Sequence, residues 1–311
     1  MLVNAESIRN IFTGYKTAFG AGFAMAPPDY KKVAMIVPSG VREEVYAWLG
    51  TFPRLREWLG DRVIQSLTMH GQTIRNRRFE STFELSLDDI KDDQYGVLAP
   101  MVQELGASAA AHPTELTFDL LASGFVECGY DKQPFFSAAH SSFDQNGQSI
   151  TVSNMQVGTG PAWYLFDTTR PFRALIYQER EPYRITMMSH PEDYNVFMKN
   201  NLLFGATGRS NAGFGLWQLA YGSMAPLTTE NYEAARAAMT TLRGEGGRKL
   251  NINPSLLVVP RALEGDGRRI LISESRPITV TVGTGTPPVQ QAVAVGNEWK
   301  GSAELLATSY L

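Results

Sequence analysis

The chain has 311 residues, 43% of them hydrophobic, with 28 Lys and Arg against 31 Asp and Glu for a formal net charge of −3. That composition supplies a sizeable core and excludes a disordered chain, and the near balance of charge, with no like-charge block at either end, excludes a protein that condenses nucleic acid on a basic face. A lone cysteine, Cys128, excludes an internal disulfide framework; no signal-peptide pattern opens the chain and no apolar run approaches the ~20 residues that span a bilayer, so the expectation is a soluble protein of a reducing cytosol.

Asn4 to Phe19 predicts an amphipathic helix, capped by Asn4 and striped by Ile8, Ile11, Phe12, Tyr15 and Phe19. The stripe needs a partner, on its own body or on a neighbour's, and the spacing does not decide which; Ile8 and Phe12 are therefore candidate subunit contacts. Gly20, Gly22, Pro27 and Pro28 end this helix, and Lys32 to Pro38 predicts a strand. Arg42 to Leu49 and Pro53 to Leu59 predict two short helices stopped by Gly50 and Gly60, with Trp48 and Trp58 as core residues.

Val63 to Met69 and Thr73 to Ser86 predict the arms of a long hairpin turning near His70-Gly71-Gln72. The second arm alternates, with Phe79, Phe83 and Leu85 on one face and Asn76, Arg78, Glu80, Thr82 and Glu84 on the other. Its outer half, Ile74 to Arg78, is too polar to bury in its own domain, which predicts support from outside the monomer. Arg75, Arg77 and Arg78 precede an acidic cluster of Asp88, Asp89, Asp92 and Asp93. These are either two solvated faces or an intersubunit contact in which the arginines of one copy meet the carboxylates of another. Arg62 and Glu80, on the same hairpin, are further contact candidates.

From Leu98, the positions Met101, Val102, Leu105 and Ala109 predict a long helix that kinks or restarts at His112-Pro113 and runs to a C-cap at Gly124. Cys128 to Gly160 predicts loops, with a domain boundary at Gly158 to Pro161. Beyond it, Trp163 to Phe166, Ala174 to Tyr177, Leu256 to Val259 and the alternation of Ile278, Val280 and Val282 predict strands. Tyr194, Phe197 and Met198 share one face of a short helix entered at Pro191, and Thr228 or Thr229 caps a helix burying Tyr232, Ala235, Met239 and Leu242 and ending at Gly244.

Chemical motifs fail one by one. The run from Gly208 to Gly215 lacks the lysine and hydroxyl of a P-loop, and Gly283 to Gly285 meets Pro288 where a dinucleotide fingerprint needs glycine, so both predict turns. Cys128 and His140, with Asp131 or Asp144 to orient the ring, are the one arrangement that suggests nucleophilic catalysis, and their spacing is not specific. His70, His112, His140 and His190 have no ligand partner at helical spacing, so no metal site is expected, and no cofactor either.

Several runs together carry a likeness that none carries alone. Tyr46-Ala-Trp-Leu-Gly50, Trp58-Leu-Gly-Asp-Arg62, Asn76 with Phe79-Glu80, Asp88-Asp-Ile with Asp92-Asp93, and His112-Pro113 are followed by Tyr130-Asp131, Phe135-Phe136 and His140. Ile176-Tyr-Gln with Arg180, Phe204-Gly205, Gly213-Phe-Gly-Leu-Trp-Gln218 and Leu256-Leu-Val-Val-Pro260 complete the series. In order and spacing the chain resembles the major head (capsid) subunit of Mu-like tailed phages, the T gene product. Lys132 departs from the glycine usual in that family and Ser141 from a frequent proline, and from Gly265 to Trp299 the likeness fades.

The resemblance implies an α+β fold of the Hong Kong 97-type major capsid protein: an N-terminal arm, an extended β-hairpin loop, a peripheral domain with a long spine helix, and an axial domain. Mapped on this chain, these are an arm at 1–40, peripheral residues at 41–61, the loop at 62–86, the spine-helix part at 87–160, the axial domain at 161–295 and a C-terminal strand region at 296–311. It further implies self-assembly through pentamers and hexamers into an icosahedral shell around double-stranded DNA, which is not bound by sequence. The implied partners are a scaffold-protease, a portal and a cement protein. The rival readings are a cellular nanocompartment shell of the same fold and a cysteine-dependent hydrolase using Cys128 and His140. Covalent cross-linking is not implied, since no lysine stands in 62–84.

Overall fold

A computed structural model describes residues 5–47, 71–92, 98–188, 190, 192–244, 247–282 and 289–311. The predicted first hairpin arm, the helix at 53–59, Trp48, Trp58, Arg62, Asp93, Pro191 and 283–288 lie outside the described residues. The chain forms two compact units, one of Met1–Tyr46, Thr73–Leu120 and Leu175–Gly213, the other of Ala47–Gln72, Leu121–Ala174 and Phe214–Leu311. The division therefore does not fall at Gly158 to Pro161 as expected. Residues 175–213 return to the first unit because they form its two longest strands.

Elements are numbered along the whole chain. Those before the second unit's sheet are α1 (Ala5–Phe23), α2 (Tyr30–Val33), β1 (Ala34–Pro38), β2 (Glu43–Tyr46), β3 (Gln72–Arg75), β4 (Arg77–Ser86), α3 (Leu87–Asp92) and α4 (Leu98–Ser123). Next come β5 (His140–Phe143), β6 (Ser149–Val152), β7 (Met155–Gln156), β8 (Trp163–Phe166), β9 (Leu175–Met188), α5 (Tyr194–Lys199) and β10 (Asn201–Phe214). The remainder are β11 (Ala220–Ser223), α6 (Thr229–Thr240), β12 (Leu256–Pro260), α7 (Glu264–Leu271), β13 (Ser275–Val282), β14 (Val289–Gly296) and β15 (Glu304–Thr308).

The first unit is built on a sheet of order β1-β9-β10-β4, in which β1 runs parallel to β9 and β4 pairs antiparallel with β10 from Ser86↔Asn201 to Arg77↔Ser210. Along β10 every second residue is buried, so Leu202, Phe204 and Ala206 join Tyr15, Phe19, Leu85, Val102 and Ile185 in one core. The glycine-rich run at 208–215 is thus largely strand, where turns were expected. Its glycines make room: a Cβ on Gly208 would lie 2.7 Å from the Tyr183 ring and one on Gly213 2.2 Å from Ile74.

Two further expectations are corrected here. Glu43 to Tyr46 is a strand, β2, paired with β3, and not part of a helix; its burial alternates with period two. The arm at 73–86 needs no outside support, because ten of its residues pair with β10 and because Ile74 and Asn76 are buried within the unit. A buried asparagine is tolerated where its amide is fully hydrogen-bonded, and Asn76 meets that condition, as shown below.

In the second unit the sheet order is β15-β12-β8-β11-β7. All four residues of β8 and all five of β12 are buried, the pattern of strands covered on both faces. Thr228 caps α6 by accepting from the Asn231 backbone N–H, and Tyr232, Ala235 and Met239 are buried beneath it, as predicted. Gly124 is a glycine for space: a Cβ there would lie 2.9 Å from the Phe136 ring. β13 and β14 form a separate two-stranded ribbon. Among the described residues no helix is long and apolar enough to cross a membrane.

Candidate assembly surfaces

β2 and β3, the strands on either side of residues 47–71 in the chain, pair with each other. The two strands are held by a polar node. Gln178, fully buried in the first part of β9, accepts from the Tyr46 hydroxyl at 2.8 Å and donates to the Asn76 side-chain oxygen at 2.8 Å and to the Ile74 carbonyl at 3.2 Å. Asn76 in turn donates to Ser39 Oγ and to the Val41 carbonyl, both at 2.8 Å, while its backbone N–H reaches the Arg42 carbonyl at 3.0 Å. Burial, with the Glu44 charge adding to it, pushes the Tyr46 hydroxyl up to about 12, so it stays a donor. Sequence reasoning missed this node; its one signal was a glutamine interrupting the apolar run Leu175-Ile-Tyr.

α1 docks on its own unit. It crosses α4 at two facing glycines, where a Cβ on Gly22 would lie 1.7 Å from the Gln103 carbonyl oxygen and one on Gly106 2.1 Å from the Phe19 carbonyl oxygen. With the backbones this close, Tyr15 reaches the Phe204 ring edge-on at 5.2 Å and Phe12 packs against the same core. Ile8 lies in α1. α4 itself runs unbroken through Pro113, and Thr117 returns its hydroxyl to the Pro113 carbonyl at 2.7 Å. Beside the proline, His112 packs on Phe79 at 4.2 Å and its Nδ1 meets the Tyr183 hydroxyl at 2.7 Å. Burial lowers the His112 pKa, against the pull of Glu115 and Asp119 and with the push of Arg77.

The charged candidates fall in two places. Arg75 pairs with Glu43 of its own chain at 3.7 Å with both side chains largely exposed, a pair worth little. Arg77 lies over the Phe79 ring, Arg78 stands opposite Arg209 in the ladder, and Glu80 accepts from the Thr82 hydroxyl. Asp88, Asp89 and Asp92 ride on α3 at the other end of β4, where Asn200 donates to Asp88 at 3.0 Å. Eight residues of strand, roughly 27 Å, separate Arg78 from Ser86, so one copy does not join the two groups. Tyr194, Phe197 and Met198, grouped on one helical face by their spacing, are exposed on α5.

Cys128 and His140 sit in different surroundings. Cys128 is exposed and its backbone bridges to Pro134. His140 is buried, stacked on Trp217 at 4.0 Å, with Nδ1 2.6 Å from Asp131 and Nε2 3.3 Å from the Phe135 carbonyl, so both ring nitrogens are occupied within the fold. Among the described residues no group of His, Cys, Asp and Glu is arranged to hold a metal ion. In the turn beside His140, Lys132 adopts φ +63°, a conformation that favours glycine.

Comparison with known proteins gives one consistent answer. Residues 8–311 match the family model described as Mu-like prophage major head subunit gpT. The chain is 38% identical to the major capsid protein of Escherichia phage Mu over the whole of both chains. The subunit in the procapsid of bacteriophage JBD30 superposes with a TM-score of 0.81 at 38% identity, covering 99% of this chain and 100% of that one. The subunit of the JBD30 capsid decorated with minor capsid protein trimers gives 0.72 at 29% identity, covering 94% and 93%. The α+β phage capsid fold that the resemblance implied is thus the fold observed, and the chain belongs to the Mu-like major head subunit family.

Proposed function

We propose that this chain is the shell subunit of a Mu-like phage head, self-assembling into a closed icosahedral container for double-stranded DNA. The observation that carries the reading is a full-length match, in sequence and in fold, to subunits of a procapsid and a capsid. Its net charge of −3 fits a container whose DNA is driven in by a motor and not condensed on the wall. In this reading α4 is the spine helix, α1 lies in the N-terminal arm of 1–40, the extended loop is 62–86 and the axial domain is 161–295. Its partners are copies of itself, a scaffold-protease, a portal, and a decorating protein of the kind on the JBD30 capsid.

The chain acts here without catalysis. Occupied nitrogens on His140 leave it no free base to offer Cys128, so Cys128→Ala is expected to leave shell formation and infectivity unchanged; loss of either reopens the hydrolase reading. Expression with its scaffold, followed by negative-stain microscopy, tests the main reading. Uniform shells or tubes are expected, and a monomer under every condition refutes it. Purified shells carrying protein cargo in place of DNA would favour the nanocompartment.

A further inference from the structure

We propose that the β13–β14 ribbon is a contact between copies of this chain, made with the same ribbon of a neighbouring copy; the inference rests on the shell reading above. Eight residue pairs, Ser275↔Gly296 through Val282↔Val289, form a two-stranded ladder that would extend roughly 26 Å, and no third strand joins it among the described residues. The polar ties to the second unit lie at its base: Arg276 pairs with Glu298, and the Asn297 N–H donates to the Glu274 carbonyl at 2.9 Å. Away from the base, Gln291, Ala292, Val293 and Ala294 are all exposed. A lone hairpin in water is marginal at best, so a ladder of this length needs a third surface.

Composition says what that surface is. Across 275–296 the one charged residue is Arg276 at the root, while Ile278, Val280, Val282, Val289, Val293 and Val295 are β-branched. Exposed strand edges ordinarily carry charge that blocks pairing with other chains; these two edges carry none beyond the root. An uncharged ribbon also meets its own copy without repulsion, which a charged ribbon would not. In a family whose members self-associate, the surface present at the highest local concentration is another copy of the same ribbon.

The test uses the full chain co-expressed with its scaffold. Two variants are made at exposed positions, Gln291→Glu with Val293→Glu, and Gln291→Lys with Val293→Lys. Each alone is expected to cut the fraction sedimenting as shells at least tenfold relative to the parent, and co-expression of the two to restore it to within about threefold. Unfolding midpoints equal to the parent's confirm that each variant folds; if they differ, the same charges are moved to Ala292 and Ala294 and the comparison repeated. Shells at the parental level from either charged variant alone overturn the proposal, as does a mixture as defective as its components. In both cases the parent still forms shells, so the capsid reading stands apart from this one. Normal shells that fail to bind a decorating protein assign the ribbon to that partner and also overturn it.

Discussion

The crossing of α1 on α4 makes a prediction whose sign separates packing from propensity. Replacing Gly106 by alanine places a methyl group 2.1 Å from the Phe19 carbonyl oxygen, where ordinary contact begins at 3.4 Å, so α1 must withdraw by about 1.3 Å. A gap of that size forfeits much of the dispersion between Tyr15, Phe19 and the sheet. Overpacking of this kind costs about 1–3 kcal/mol, and alanine's helix preference returns at most about 1 kcal/mol. Denaturant unfolding of the unassembled chain should therefore show a net loss of up to about 2 kcal/mol and faster proteolysis within α1. Gly14 is the control: it lies in the same helix with nothing within 4 Å of an added methyl group, so Gly14→Ala should stabilise by up to about 1 kcal/mol. A Gly106→Ala chain as stable as Gly14→Ala would refute the close crossing.

Three other outcomes are expected. Asn76→Ala strands the Gln178 amide and the Val41 carbonyl in a buried site, and should cost about 1–3 kcal/mol in denaturant unfolding. Lys132→Gly relieves a left-handed backbone and should raise stability by about 1 kcal/mol by the same assay, whereas a loss would show that the lysine side chain carries a contact of its own. For His112 the folded pKa is lowered, so below about 6.5 the unfolded chain binds the proton first. Stability should then be full above that pH and decline as the pH falls toward the folded pKa; His112→Gln should flatten that part of the unfolding-midpoint profile, and an unchanged slope would exclude His112 as its source.

The sequence carried the elements whose side chains repeat with a clear period. α4, α6 and β12 stand where apolar spacing placed them, and β4 alternates as read. It failed where tertiary neighbours overrule local signals. Gly208 and Gly213 look like turns until Tyr183 and Ile74 are seen to occupy the space that side chains would need. Asn76 looked like a solvent residue because its partners, Ser39, Val41 and Gln178, lie at least 35 residues away in the chain. The arginines of β3 and β4 were legible as a group. What covers them was not, since Arg75 turns to Glu43 and Arg77 to Phe79.

A shell subunit has to fold before it assembles, so any element that serves a neighbour must be held by its own chain at the root alone. Two roots here differ in kind. The one beneath 47–71 is a buried network in which Gln178 joins β9 to Tyr46 and Asn76, and a one-residue slip in either flanking strand would leave buried amide groups unpaired. The ribbon β13–β14 is rooted by the exposed Arg276–Glu298 pair, which contributes roughly 0–1 kcal/mol, and by Asn297, whose side-chain amide donates to the Ile270 and Ser273 carbonyls at 2.8 Å. The first root therefore fixes register inside the sheet, while the second holds the ribbon only at its base. Substitutions at the two roots should separate accordingly: Gln178→Leu lowers the stability of the unassembled chain, whereas Arg276→Gln leaves it within about 0.5 kcal/mol. If Arg276→Gln proved as costly to the monomer as Gln178→Leu, the ribbon would be part of its own unit's core and not a contact held in reserve.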